Sequence, residues 1–126
     1  MGCQLSLPCP RCHFFLFFLF FFFFQKLRLT ALSIWAAIKR EALLAASEGV
    51  ATPEEIDAIF KGVLKTPKGP FELMDVVGLD VVLDIEQHYA DARGNIPSEP
   101  REYLQSLLRS GRLGVKSGHG FYRYKL

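Results

Sequence analysis

From residue 34 onward, apolar positions recur at the three- and four-residue spacing of helices that hide one side. In IWAAIKREALLAASEG, Ile34, Trp35, Ile38, Ala42 and Ala45 share a face, Lys39, Arg40 and Glu48 lie off it, and Gly49 is placed to end the helix in a left-handed cap. ATPEEIDAIFKG restarts at once: Thr52 is an N-cap, Pro53 takes the first helical position, and Glu55 completes a capping box. Its apolar stripe is Ile56, Ile59, Phe60 and Val63, while Glu54, Glu55 and Asp57 supply the negative charge a helix N-terminus favours. Turn residues Pro67, Gly69 and Pro70 lead into a short helix with Phe71, Met74 and Val77 inward and Gly78 as its stop. LDVVLDIEQHYADARG opens on Asp80 as N-cap and buries some combination of Val81, Val82, Ile85 and Tyr89. SEPREYLQSLLRSG aligns Tyr103, Leu104, Leu107 and Leu108 and ends at Gly111. RLGVKSGHGFYRYKL, with glycines at 114, 118 and 120, is predicted to be a loop that docks its aromatics. The fold class is all-α, a bundle of about five short helices with brief connections. There is no alternating strand pair and no internal repeat.

The first 33 residues break this pattern. Nine of the twelve phenylalanines lie in residues 14–24. The chain therefore divides into a non-globular Phe-rich segment, residues 1–33, and a helical domain, residues 34–126. As a helix the apolar run is roughly 16 Å long, against a hydrocarbon core of about 30 Å. Lengthening the span draws Gln25, Lys26 and Arg28 into lipid, at about 2.5–3.5 kcal/mol for each charge near its centre. A tight single span is disfavoured, although residues 13–38 are apolar enough to be flagged as one. A signal peptide fits the length better, with Arg11 as positive flank and Ala31 near a cleavage point. MGCQLS matches an N-myristoylation pattern through Gly2 and Ser6, with Cys3 as a second acyl site. CPRCH matches the short c-type haem attachment pattern, and Cys3, Cys9, Cys12 and His13 are enough for four metal ligands, but a wall of phenylalanine follows at once and neither haem nor metal is expected. The preferred reading is different. Phe and Leu codons can be written wholly with pyrimidines, so the run resembles a translated polypyrimidine tract before a 3′ splice site. QKLRLTALS would then be the last intron-derived residues, and spliced transcripts that skip the Phe codons would support this.

Charge and cysteine use narrow the classes. The chain carries +2 overall, but residues 1–33 hold Arg11, Lys26 and Arg28 and no acid, which leaves residues 34–126 slightly acidic. No basic excess is available for nucleic acid. All three cysteines fall in the first twelve residues, so the helical domain is not a disulfide scaffold. There is no strand followed by G-x-G-x-x-G, hence no dinucleotide fingerprint. GVKSGHG has glycines and a lysine but neither a strand before it nor a helix after, so it is not a phosphate loop. His88 reads as a surface or half-buried helix residue and His119 as a turn residue. Neither has a carboxylate at a spacing that forces a dyad.

One long stretch changes the picture. EGVATPEEIDAIFKGVLKTPKGPFELMDVVGLDVVLDI, together with RLGVKSGHGFYRY, resembles the C-terminal helical domain of the 3-hydroxyacyl-CoA dehydrogenase family. That family shows E-G-x-A-x-x-E-D-I-D, then G-P-F-E-L-x-D-x-x-G-L-D, then G-x-K-x-G-x-G-F-Y-x-Y. These stand here at residues 48–57, 69–80 and 114–124, in order, and the resemblance covers about residues 34–126. The implied fold is of the 6-phosphogluconate dehydrogenase C-terminal-like type. The implied chemistry, part of fatty-acid β-oxidation, is NAD-dependent oxidation of the 3-hydroxyl of an L-3-hydroxyacyl-CoA. Some relatives take 3-hydroxybutyryl-CoA or sugar acids such as gulonate. An N-terminal Rossmann domain with a His–Glu pair performs that oxidation, while the helical domain closes over the acyl group and forms most of the dimer contact.

The resemblance assigns no catalytic residue here. The family's helical domain opens with G-F-[IVL]-x-N-R, and Leu32 stands where the Asn belongs and Ser33 where the Arg belongs. Lys68, Gly69, Pro70 and Phe71 are the candidate substrate-binding residues, although turn geometry is the stronger account of Gly69 and Pro70, and a core role the stronger account of Phe71. Lys116, Gly118, Gly120, Phe121 and Tyr122 are expected to fix the terminal segment against the helices. NAD belongs to the family and is not expected to bind this chain alone, which reads as a truncated, inactive dehydrogenase. The implied partners are an acyl-CoA substrate and a second copy or an intact homologue. A membrane partner follows only if residues 1–33 act as an anchor, in which case the chain is a tethered helical interaction module. The family places its members in cytoplasm, mitochondria or peroxisomes.

Overall fold

A computed structural model describes residues 10–126, with side chains from residue 15 onward. The acylation motif at Gly2, Cys3 and Ser6 and the ligand set Cys3, Cys9, Cys12 and His13 lie outside these described residues and side chains, as does the Arg11 flank. The chain divides into two units, Met1–Ile34 and Trp35–Leu126.

In the first unit the Phe-rich stretch is helical. Helix α1 (Pro10–Ser47) begins there, well before residue 34, where the periodicity alone starts it. The reason is local: no Gly or Pro interrupts residues 11–48, and Phe and Leu cost little in a helix. Rings four residues apart lie side by side, Phe18 with Phe22 at 5.8 Å and Phe20 with Phe24 at 5.3 Å. Phe15 to Phe24 are each 53–71% exposed. The hollows among Phe17, Phe20, Phe21 and Phe24 are walled by this one helix alone. Phe15–Ser47 is long and apolar enough to cross a membrane, with mean hydropathy 1.7. The length objection raised from residues 14–24 therefore applies to the apolar run and not to the helix, which still carries Lys26 and Arg28.

The second unit contains the end of α1 and four shorter helices: α2 (Pro53–Leu64), α3 (Pro70–Val77), α4 (Leu79–Arg93) and α5 (Glu99–Arg109), followed by a single 3-10 turn, Val115–Ser117. The described residues contain isolated bridges at Gly114–His119 and His119–Arg123 but no strand. Punctuation follows the local chemistry. Gly49 takes φ 72° just after α1. Thr52 and Glu55 form the reciprocal capping box, with Glu55 N–H donating to Thr52 Oγ1 at 3.3 Å and Thr52 N–H to Glu55 Oε2 at 2.9 Å. Leu43, Phe71, Met74, Leu79, Val82 and Leu104 form a fully buried core, with Trp35, Ile56, Tyr103, Phe121 and Tyr122 packed around it.

Several faces differ from the periodicity reading. Ile34 is exposed, and the buried side of α1 carries Ala36, Lys39, Ala42 and Leu43. Lys39, expected on the outside, is only 1% exposed because a partner waits across the bundle. Arg40 Nε donates to Glu86 Oε2 on α4 at 2.9 Å, and Lys39 Nζ lies 3.6 Å from Glu86 Oε1. Burial pulls the Lys39 amine below its usual range, and Glu86 offsets this only in part. Arg40 also stacks its guanidinium over the Tyr89 ring at 5.4 Å. Ile59, Val63, Val77 and Val81 face outward, whereas Asp57 and Asp75 are buried. Gly78 at φ 103° caps α4, and Asp80, the expected cap, instead binds Lys116 Nζ at 2.6 Å.

Candidate functional site

The site is built around the turn between α2 and α3, and buried Asp57 organises it. Its carboxylate accepts hydrogen bonds from Phe71 N–H at 2.9 Å, Glu72 N–H at 3.0 Å and Tyr122 O–H at 2.8 Å. The first two donors are the open N–H groups of α3, so Asp57 performs, from another helix, the capping that residue 69 would ordinarily supply. That explains Gly69: a Cβ there would overlap the Asp57 carboxylate. Glu72 accepts from Gly69 N–H at 2.9 Å and pairs with Lys61 Nζ at 2.7 Å, which closes the turn. Burial pushes the Asp57 carboxyl up, against the pull of its three donors.

A second carboxylate repeats the device. Asp75, fully buried on α3, accepts from Phe121 N–H at 2.9 Å, Tyr122 N–H at 3.0 Å and Tyr124 O–H at 2.8 Å. Gly114 and Gly120 both lie against Asp75, where a Cβ on either would overlap it. The three motifs of the sequence thus meet in one hydrogen-bonded lock: Asp57 from the first, Gly69 to Asp75 from the second, and Gly114 to Tyr124 from the third. Burial, then the bond to each aspartate, drives the Tyr122 and Tyr124 phenols far above their usual range.

Two grooves open beside this lock. The first, about 470 Å³, is walled by Ala37, Ile38, Ala42 and Ala45 of α1, Ile56 and Phe60 of α2, and Pro70 of α3, with Glu41 its one charged lining residue. The second, about 300 Å³, is lined by Trp35, Phe60, Thr66, Pro67, Lys68 and Leu73, so Phe60 serves both. Of the four candidate residues, Lys68 and Pro70 reach the grooves. Gly69 is buried under Asp57, and Phe71 is a core residue packed edge-on to Phe121, ring centres 4.6 Å apart. Lys116, Gly120, Phe121 and Tyr122 hold the terminal segment as the sequence implies. His88 is exposed and His119 half-buried in its turn.

Residues 32–124 match the family described as 3-hydroxyacyl-CoA dehydrogenase, C-terminal domain. The chain belongs to the 3-hydroxyacyl-CoA dehydrogenase family. It is 42% identical over 84 residues to a probable 3-hydroxybutyryl-CoA dehydrogenase of Deinococcus radiodurans, covering 67% of this chain and 30% of that one. Against the mitochondrial hydroxyacyl-coenzyme A dehydrogenase of Homo sapiens it is 39% identical over 87 residues, 68% of this chain and 27% of that one. The crystal structure of (S)-3-hydroxybutyryl-CoA dehydrogenase from Ralstonia eutropha superposes with a TM-score of 0.63 at 33% identity, covering 75% of this chain and 33% of that one. The chain therefore spans about a third or less of these relatives, over the all-α C-terminal domain of a 3-hydroxyacyl-CoA dehydrogenase.

The sequence motifs contain Asp57 and Asp75 without revealing the role of either. The available signal is the pairing of each aspartate with a distant glycine, since a buried carboxylate needs backbone donors at close approach. The described residues do not fit the pyrophosphate of NAD. That group asks for a strand, a glycine-rich turn and a helix N-terminus in succession, whereas the open N–H groups of α3 are already taken by Asp57.

Proposed function

We propose that the helical unit is the substrate-side and dimerisation domain of an L-3-hydroxyacyl-CoA oxidoreductase, with no turnover of its own. The observation that carries this is the apolar groove of about 470 Å³ between α1, α2 and Pro70. Its walls are aliphatic and aromatic, which suits the hydrocarbon part of an acyl-CoA. The chain's contribution is binding and water exclusion. Asp57, through Phe71 N–H and Glu72 N–H, fixes the turn that carries Lys68 and Pro70, so the groove is preformed and binding spends little on ordering it. Pairing with a second copy or an intact homologue is supported by the exposed apolar side chains Ile59, Val63 and Leu64 of α2 and Val76 and Val77 of α3. NAD binding and the hydride step fall to the remainder of the longer family members, outside the domain that this chain matches.

The test is direct. The full chain is incubated with NAD and 3-hydroxybutyryl-CoA, and absorbance at the reduced-nicotinamide band is followed. No reduction is expected from the chain alone, while isothermal titration calorimetry should register binding of the acyl-CoA. Steady NAD reduction, or no acyl-CoA binding heat, would overturn the proposal.

A further inference from the structure

The second groove carries information that the first does not. Trp35, Phe60, Pro67 and Leu73 make its apolar walls, and Lys68 is its one charged lining residue. The Thr66 hydroxyl donates to the Lys68 carbonyl at 3.0 Å, which sets the turn that presents the lysine. Among the described residues Lys68 Nζ makes no ion pair, whereas Lys39, Lys61 and Lys116 each do. Glu72 feels the charge of Lys68 but is already bound by Lys61 and by Gly69 N–H. A cation thus stands at the edge of an apolar slot with no ion pair among the described residues.

We propose that Lys68 is a specificity residue: an acyl group lying in the first groove extends past Phe60, which lines both grooves, into this slot, and a carboxylate at its far end sits on the Lys68 ammonium. This rests on the reading of the helical unit as the acyl-binding domain. The shared chemistry is an anion on an apolar body, which the phosphoadenosine end of coenzyme A also has. The walls decide between them. Adenine and ribose carry several donors and acceptors that these walls leave unmatched, at a desolvation cost, whereas a methylene chain has none.

The full chain is titrated with three probes, with Trp35 emission as the readout. Monomethyl suberate has a carboxylate at one end and a neutral ester, in place of the thioester, at the other. Dimethyl suberate is its neutral counterpart, and adenosine 3′,5′-bisphosphate represents the coenzyme. Monomethyl suberate should bind about fivefold tighter than dimethyl suberate, the upper range for a partly exposed charge pair. Lys68→Met should erase that preference without weakening dimethyl suberate. Lys68 is exposed, so the variant should fold, and unchanged far-ultraviolet dichroism verifies it. Equal binding of the two esters overturns the role of Lys68 but leaves the acyl-binding domain standing. Binding of the bisphosphate in preference to both reassigns the lysine to the coenzyme and overturns the carboxylate. If no probe moves Trp35, the slot takes no acyl end and the role of Lys68 falls, while the acyl-binding domain is judged by the acyl-CoA titration above.

Discussion

Replacing Glu86 by Gln is the most demanding perturbation the bundle offers. Glu86 is 1% exposed and is the carboxylate that meets both Arg40, at 2.9 Å, and Lys39, at 3.6 Å. Gln keeps the shape and removes the charge, which leaves a fully buried ammonium and a mostly buried guanidinium facing one another. Breaking a buried pair from one side costs about 3–5 kcal/mol, out of a total stability of about 5–15 kcal/mol. At about 4 °C or more per kcal/mol for a domain of this size, the melting temperature should fall by at least roughly 12 °C. Lys39→Met should cost much less, because it removes an amine that burial holds below its ordinary pKa of 10.5 and leaves Glu86 paired with Arg40 at 2.9 Å. The sign with pH follows. Between the lowered folded pKa and 10.5 the unfolded chain binds more protons, so stability from Lys39 rises with pH in that window, and Lys39→Met should flatten the slope. Urea unfolding, followed by Trp35 emission and by circular dichroism across a pH series from about 7 to about 10, measures all of this. A loss below about 1 kcal/mol for Glu86→Gln, or a larger loss for Lys39→Met than for Glu86→Gln, would refute the reasoning.

Three further outcomes are expected. Asp57→Asn and Asp75→Asn should each cost about 2–3 kcal/mol in urea unfolding, since each swaps charged acceptors for a group that points an N–H at a donor. The double variant should cost less than the sum because Tyr122 bonds to both aspartates. Gly114→Ala should destabilise strongly, since φ is 105° and a Cβ meets the Asp75 backbone. Gly62→Ala, inside α2 with open space around it, should instead stabilise by about 0.5–1 kcal/mol. In an alkaline absorbance titration Tyr122 and Tyr124 should stay protonated well past their usual pKa of 10.0. A raised folded pKa gives stability that is whole below about 10 and drains away as pH climbs above it. These two phenols should therefore ionise only as helicity is lost; smooth ionisation near their ordinary pKa with helicity intact would contradict the lock.

Whatever depends on neighbours in sequence is legible in the residues alone. Thr52, Pro53 and Glu55 announce the start of α2, Gly49 and Gly111 take the left-handed φ of 72° and 78° just past their helices, and the aromatic tail docks. What is not legible depends on partners far along the chain. Lys39 and Arg40 sit within an apolar periodic run, and nothing within a few turns reveals Glu86, 46 residues beyond Arg40. Asp57 reads as favourable charge at a helix start because that is the cheap local explanation. Its real donors are 14 and 15 residues on, and 65 residues on at Tyr122. At the candidate site, Lys68 and Pro70 are singled out by motif position and do line grooves. Phe71 shares the motif for a packing reason that the resemblance does not separate from binding.

The lock between the two aspartates and residues 120–124 makes the domain a late-closing structure. Its fasteners join points 46 to 65 residues apart, so chain-closure entropy must be met before they reward it. On a ribosome the first four helices would emerge with two carboxylates that have no donors at hand for Asp75 and an incomplete set for Asp57. A nascent chain stalled before Gly120 can neither bury them cheaply nor seal Phe71 against Phe121. Such a chain would advertise its unfinished state as exposed oily surface, open to chaperones and proteases, and the final turn of the tail is what withdraws that signal.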